Sequence, residues 1–249
     1  MSGHNKWSTI KHKKGRVDAL RSRLWTKLVK EITVAARMGG GDPNGNARLR
    51  LAVDNARSNN MPNDNIERAI KKGTGELEGV NYEDVTYEGY GPDGVAILVD
   101  TTTDNRNRTV GEIRNLFNKN NGKMAESGSV AWMFDSKGYV SVQADGVSED
   151  DLMMTILDAG ADDLQRSGDL FEIYTDLSAF EAVRKAIATA GFGIAEAKLV
   201  KVPQTTIQVT GKSAEQTIKL LDLLEENDDV SVVWSNADIE ETDLDGQDS

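Results

Sequence analysis

Between residues 17 and 37 the apolar positions Val17, Leu20, Leu24, Leu28, Ile32 and Ala35 recur at three- and four-residue intervals. That period sets one stripe of a helix against a core, and Gly39-Gly40-Gly41 then ends it. A second helix is predicted over 44–59, with Leu49, Ala52, Val53 and Ala56 inward and Pro62 barring continuation. In a third, Asp64 and Glu67 have capping-box spacing, Ile66, Ala69 and Ile70 form the buried face, and Gly73 and Gly75 close it. Residues 17–75 therefore read as a three-helix unit.

Past Gly79 the period shortens to that of strands. Strands are predicted over 85–90 and 94–102, turning at Gly91-Pro92-Asp93-Gly94. There follow a helix (106–120), strands (130–134 and 138–143), a helix (148–159) and a strand pair around 165–175. A helix (177–190), strands (195–202 and 205–210), a helix (214–226, Ser213 as cap) and a strand (230–235) complete the pattern. Residues 138–202 alone run strand-helix-strand-strand-helix-strand, the ferredoxin-like order, and the flanking elements repeat it. The expected fold class is α+β: an N-terminal three-helix domain followed by two ferredoxin-like α+β domains, one inserted into the other. The boundaries expected are 1–79, 80–135 plus 204–237, the insert 136–203, and an acidic disordered tail at 238–249 with six acids in twelve residues. A single mixed domain is the alternative.

Charge changes this picture. The formal net charge is −12, which by itself disfavours a polyanionic partner. Residues 1–75, however, hold 16 Lys and Arg against 6 Asp and Glu, a net +10, which leaves −22 on the remainder. There is no cysteine, so disulfides, thiolate catalysis and Cys-ligated zinc are excluded, and no apolar run is long enough to span a bilayer. A cytoplasmic location is expected.

Catalytic motifs do not survive inspection. Gly89-Tyr90-Gly91-Pro92-Asp93-Gly94 fits a dinucleotide fingerprint in letters only, because a strand follows it rather than a helix. Gly211-Lys212-Ser213 lacks the first glycine of a phosphate-binding loop, having Thr206 in that place. The two histidines, His4 and His12, cannot build a triad or a multi-histidine metal site within one chain. No carboxylate pair has a recognisable spacing. The chain is read as a non-enzyme without cofactor or metal.

Candidate binding residues gather at the N-terminus. His4, Lys6, Trp7, Lys11, His12, Lys13, Lys14 and Arg16 interleave cations with rings, groups that pair with phosphates and stack on bases. On the first helix Arg16, Arg23, Lys27, Lys30 and Arg37 project opposite the apolar stripe, with only Glu31 near them. Arg48 and Arg50 on the second helix are further candidates for phosphate contact.

Several stretches are recognisable as a set: residues 2–13 (SGHNKWSTIKHK), 33–43 (TVAARMGGGDP), 60–70 (NMPNDNIERAI), 87–92 (YEGYGP) and 104–110 (DNRNRTV). Together they resemble the signature motifs of the YebC/PmpR family, over essentially residues 1–236. The chain departs from the usual alanine- and lysine-rich stretch at Gly15-Arg16-Val17-Asp18-Ala19-Leu20. The resemblance implies a helical domain followed by two α+β domains, in DNA-binding regulators of transcription of the bacterial cytoplasm. It also implies kinship with translational activators of mitochondria. Two nucleic-acid readings follow, DNA first and ribosomal RNA, with the ribosome as partner, as the alternative. A protein or small-molecule interaction module is the third.

Overall fold

The computed structural model describes residues 17–239, with side chains from Ser22 onward. In chain order the elements are α1 (Val17–Gly39), α2 (Ala47–Ser58), α3 (Asn63–Thr74), β1 (Glu83–Tyr90), β2 (Ala96–Thr103), α4 (Arg106–Lys119) and β3 (Lys123–Met124). There follow β4 (Phe134–Gln143), α5 (Glu149–Leu157), β5 (Ala161–Ser167), β6 (Leu170–Thr175), α6 (Phe180–Thr189) and β7 (Ile194–Pro203). The last are β8 (Ile207–Val209), α7 (Gly211–Glu225), β9 (Val230–Ser235) and β10 (Ala237–Ile239). The described chain is thus α+β, and it divides into two compact units, 17–134 with 203–239, and 135–202.

In the first unit, the apolar stripes of α1, α2 and α3 meet in one core: Ile32, Ala35 and Ala36 against Leu49, Ala52, Val53, Ala56, Ile66 and Ala69. Asn46 ties two of these helices together. Its side-chain amide donates to the carbonyls of Ala35 (2.7 Å) and Gly40 (2.9 Å), while its Oδ1 accepts from the Leu49 N–H and caps α2. At Gly73 a Cβ would collide with the Thr33 carbonyl and the Ala36 side chain, so α1 and α3 cross too closely for any other residue there. The capping box expected of Asp64 and Glu67 does not form. The third helix starts at Asn63, with Pro62 in the cap position two residues before Asp64 and no side-chain cap.

The same unit carries an antiparallel sheet in the order β3-β1-β2-β9, beside a two-stranded parallel pair of β8 and β10. One sheet face is closed by α4 and α7, where Ile97, Val99 and Val233 pack on Ile113, Phe117, Leu220, Leu221 and Leu224. On the other face Ala96 and Leu98 lie under Val130 and Phe134.

The strand expected over 130–134 is instead a short 3-10 turn, Ala131–Met133, leading into β4. Glu88, buried on β1, explains it. Its carboxylate accepts the N–H groups of Gly128 (2.6 Å), Val130 (2.7 Å) and Ala131 (2.9 Å), so these donors have a partner other than a neighbouring strand. Burial pushes this carboxyl up, but those backbone hydrogen bonds outweigh it and hold it below the ordinary value.

The second unit has the sheet order β5-β6-β4-β7, which is the ferredoxin-like arrangement 2-3-1-4 counted within it. Val140, Val142, Leu152, Ile156, Phe171, Ile173, Val183 and Ile187 are its buried apolar residues. Ser148 caps α5 by accepting the Asp151 N–H. Ser213, expected as a cap, lies inside α7, which begins at Gly211 behind Thr210. Asp238 and Ile239, read from sequence as the start of a tail, belong to β10, and Ile239 reaches the core. The rest of that expected tail, 240–249, lies outside the described residues.

Candidate nucleic-acid interface

The first helix contributes its cations in a way its own sequence cannot show. Lys30 is buried, 8% exposed, with its ammonium held by the Asp229 carboxylate (2.9 Å) and the carbonyls of Asp228 (2.8 Å) and Thr102 (3.3 Å). The Tyr82 ring lies 5.6 Å below it. A buried ammonium is stable only when each N–H finds an acceptor, and here all three do. One turn earlier Lys27 donates to the Glu225 carbonyl at the end of α7 (2.8 Å), and Arg23, largely exposed, lies 3.9 Å from Glu226. Arg37 donates to the carbonyls of Val80 and Tyr82.

Asp229, just before β9, is the hub of this clasp. It accepts from Lys30, from the Arg108 guanidinium (2.6 Å) and from the hydroxyls of Thr109 (2.8 Å) and Thr103 (3.2 Å). Burial pushes its carboxyl up, and the hydrogen bonds from Arg108, Lys30 and Thr109 more than reverse that, leaving it at about 2. Arg108 also reaches Asp104 (2.7 Å), and its guanidinium is held still more firmly charged.

The second-helix candidates are likewise engaged. Arg48 makes a fork to Glu31 (2.8 and 2.9 Å) and a third contact to Asp84 (2.8 Å), which raise its guanidinium against the opposing effect of burial. Arg50 donates to the carbonyls of Pro43 and Asn44. Thus Lys27, Lys30, Arg37, Arg48 and Arg50 all hold the fold together, and of the described candidates Arg23 and Arg37 are exposed, Arg37 while bound to two carbonyls. His4, Lys6, Trp7, Lys11, His12, Lys13, Lys14 and Arg16 lie outside the described residues.

Where α1 meets the start of α4 there is a cleft of about 420 Å³. Ser22, Arg23 and Thr26 form one wall and Asp104 and Arg108 the other, with Asp228 and Asp229 at its base. Arg106 and Arg108, with Arg114, Lys119 and Lys123 beyond them, escape a charge-based reading because they sit in the acidic two-thirds of the chain. The signal that could have found them is Asp104-Asn105-Arg106-Asn107-Arg108, two arginines and two asparagines in five residues at a helix start. Among the described residues no group of His, Asp and Glu is arranged to hold a metal ion, and no helix is long and apolar enough to cross a membrane.

Comparison with known proteins covers nearly the whole chain. Residues 5–76 match the model of the TACO1/YebC N-terminal domain, and 82–237 that of the TACO1/YebC second and third domains. A probable transcriptional regulatory protein of Geobacter sulfurreducens is 59% identical over 239 residues, 96% of each chain. Another so named, from Desulfatibacillum aliphaticivorans, is 57% identical over 96% of this chain and 97% of its own. The crystal structure of a conserved hypothetical protein from Aquifex aeolicus is similar with a TM-score of 0.87 and 46% identity, covering 95% of this chain and 98% of that one.

Proposed function

The chain belongs to the TACO1/YebC family, and on that premise we propose that it is a non-catalytic regulator of gene expression that binds DNA in the cytoplasm through its basic N-terminal segment. The observation that carries this reading is how positive charge is distributed. Acids and carbonyls of the fold already take Lys27, Lys30, Arg37, Arg48 and Arg50. Residues 1–17, by contrast, carry Lys6, Lys11, Lys13, Lys14 and Arg16 before the first acid, Asp18. Five cations close together in sequence release phosphate counterions on binding, and the exposed Arg23 adds another. The names of the relatives, probable transcriptional regulatory proteins, support transcription as the process.

The test is fluorescence anisotropy on a labelled random duplex across a salt series. Reversing Lys11, Lys13, Lys14 and Arg16 to glutamate should weaken binding by more than a hundredfold at low salt and lower the slope of log affinity against log salt by about 3 to 4. An unchanged affinity refutes the reading.

Ribosomal RNA is the second reading, favoured by one specific feature: Trp7, His4 and His12 stand among the cations, and rings stack on unpaired bases, which a regular duplex does not offer. Co-sedimentation with ribosomes at low salt distinguishes it, since a chain that stays wholly at the top of the gradient acts elsewhere.

A further inference from the structure

Helix α4 packs Thr109, Ile113 and Phe117 into the core and turns the opposite face to solvent. That outer face consists of Asn107, Gly111, Arg114, Asn115 and Asn118, all exposed, at the 4-, 3- and 4-residue steps that line one side of a helix. None of the four side chains on this face makes a hydrogen bond or ion pair with another described residue. Glu112, the acid on this helix, is turned aside and accepts from Asn227 (2.8 Å).

Nothing internal accounts for this face. Asparagine and glycine are among the weaker helix formers, and the helix carries four of them on one side without using any for packing or capping. Gly111 is the sharpest case. Its Cβ would meet nothing within 4 Å and it stands in mid-helix, so neither crowding nor backbone conformation requires glycine there. What a bare Cα on an exposed helix provides is close approach by something outside the chain. The neighbours describe that visitor: asparagine presents the donor and acceptor pair that matches the adenine edge, arginine the fork that matches guanine, and the helix is about 21 Å long, a length the major groove accepts.

We propose that α4 is the base-reading element of the protein, laid into the major groove of duplex DNA with Asn107, Arg114, Asn115 and Asn118 on base edges and Gly111 at the closest approach. This rests on the DNA reading above and deepens it: the N-terminal segment supplies phosphate contact, and α4 supplies discrimination. Arg108, at the start of α4, shares a cleft with Ser22, Arg23 and Thr26 of α1. Lys119 and Lys123 at the far end of α4, exposed and without an ion pair among the described residues, are placed for the flanking phosphates.

The experiment is selection from a library of randomised 20-base-pair duplexes by the full chain, followed by affinities for the enriched and a random duplex. Wild type should enrich a motif and prefer it by about a hundredfold or more. Asn115→Ala with Asn118→Ala, and separately Arg114→Ala, should cut that preference about tenfold each while affinity for random duplex falls less than about threefold. Gly111→Ala should raise the melting temperature and still cut the preference, a combination that a merely structural glycine does not give. The variant with Lys11, Lys13, Lys14 and Arg16 reversed should instead lose affinity for both duplexes alike. If wild type binds duplex without enriching a motif, or the α4 variants keep the wild-type preference, the role of α4 is overturned and the function stands. If wild type binds no duplex, the function falls first. Enrichment from a parallel single-stranded RNA library and not from duplex overturns the assignment to DNA.

Discussion

Helices α1 and α4 each carry a row of cations away from their buried stripe, and the chain treats the two rows in opposite ways. On α1, Lys27 and Lys30 point into acceptors at 225, 228 and 229, about 200 positions away in sequence, and serve to clamp the helical bundle to the sheet. On α4, Arg106, Arg114 and Lys119 face solvent with no ion pair among the described residues, and only Arg108 joins the clasp. Local charge is therefore a poor guide to where a ligand binds. A cation becomes available to a partner only where the tertiary fold leaves it unanswered, and two helices of the same net charge, +3 each, differ in that respect.

The largest effect should come from the clasp. Asp229→Asn leaves Lys30 buried without its carboxylate and removes the acceptor of Arg108, which should destabilise the chain by about 3–5 kcal/mol in denaturant titration. Lys30→Met should cost less, about 2 kcal/mol, because Asp229 keeps Arg108 and Thr109. The pH dependence follows from the depressed carboxyl. With Asp229 at about 2 in the fold and the ordinary value at 3.8, its contribution is fully present above that ordinary value and is lost as pH falls through the folded one. Acid unfolding of wild type should therefore show a steep component between about pH 4 and 2 that Asp229→Asn lacks. If the variant retains that component, the clasp is not what acid breaks.

A smaller effect is expected at Glu88, the neutral comparison to the clasp, since its partners are backbone N–H groups and not cations. Glu88→Gln keeps the size but replaces one acceptor oxygen by a donor aimed at those same N–H groups. A loss of about 1–3 kcal/mol is expected, with faster amide exchange at Gly128, Val130 and Ala131. Unchanged exchange there would separate the turn from the carboxylate.

Much of the fold is legible locally. The stripes Leu49-Ala52-Val53-Ala56 and Ile66-Ala69 are buried as their period requires, and the order strand-helix-strand-strand-helix-strand read over 138–202 gives the 2-3-1-4 sheet. What is not legible depends on partners distant in sequence. Residues 130–134 have the apolar character of a strand, but Glu88, some forty positions earlier, takes their N–H groups into a turn. The sequence of α1 offers only Glu31 near its cations, and the acids that answer them stand at 226 and 229. The reverse error hides α4. Its arginines sit within a segment whose net charge is negative, so the composition that advertised α1 concealed it.

The smallest expected effect completes the comparison. Arg114→Met on α4 and Lys30→Met on α1 make the same chemical change, a long cation to an uncharged chain of similar reach. Because Arg114 touches no described acid or carbonyl acceptor, its replacement should shift stability by no more than about 0.5 kcal/mol, the range of surface substitutions away from special features. If Arg114→Met instead destabilises as much as Lys30→Met, the side chain has a structural partner and is not free for a ligand. A stable Arg114→Met chain with reduced preference among duplexes would show that the residue is retained for what it meets outside the fold.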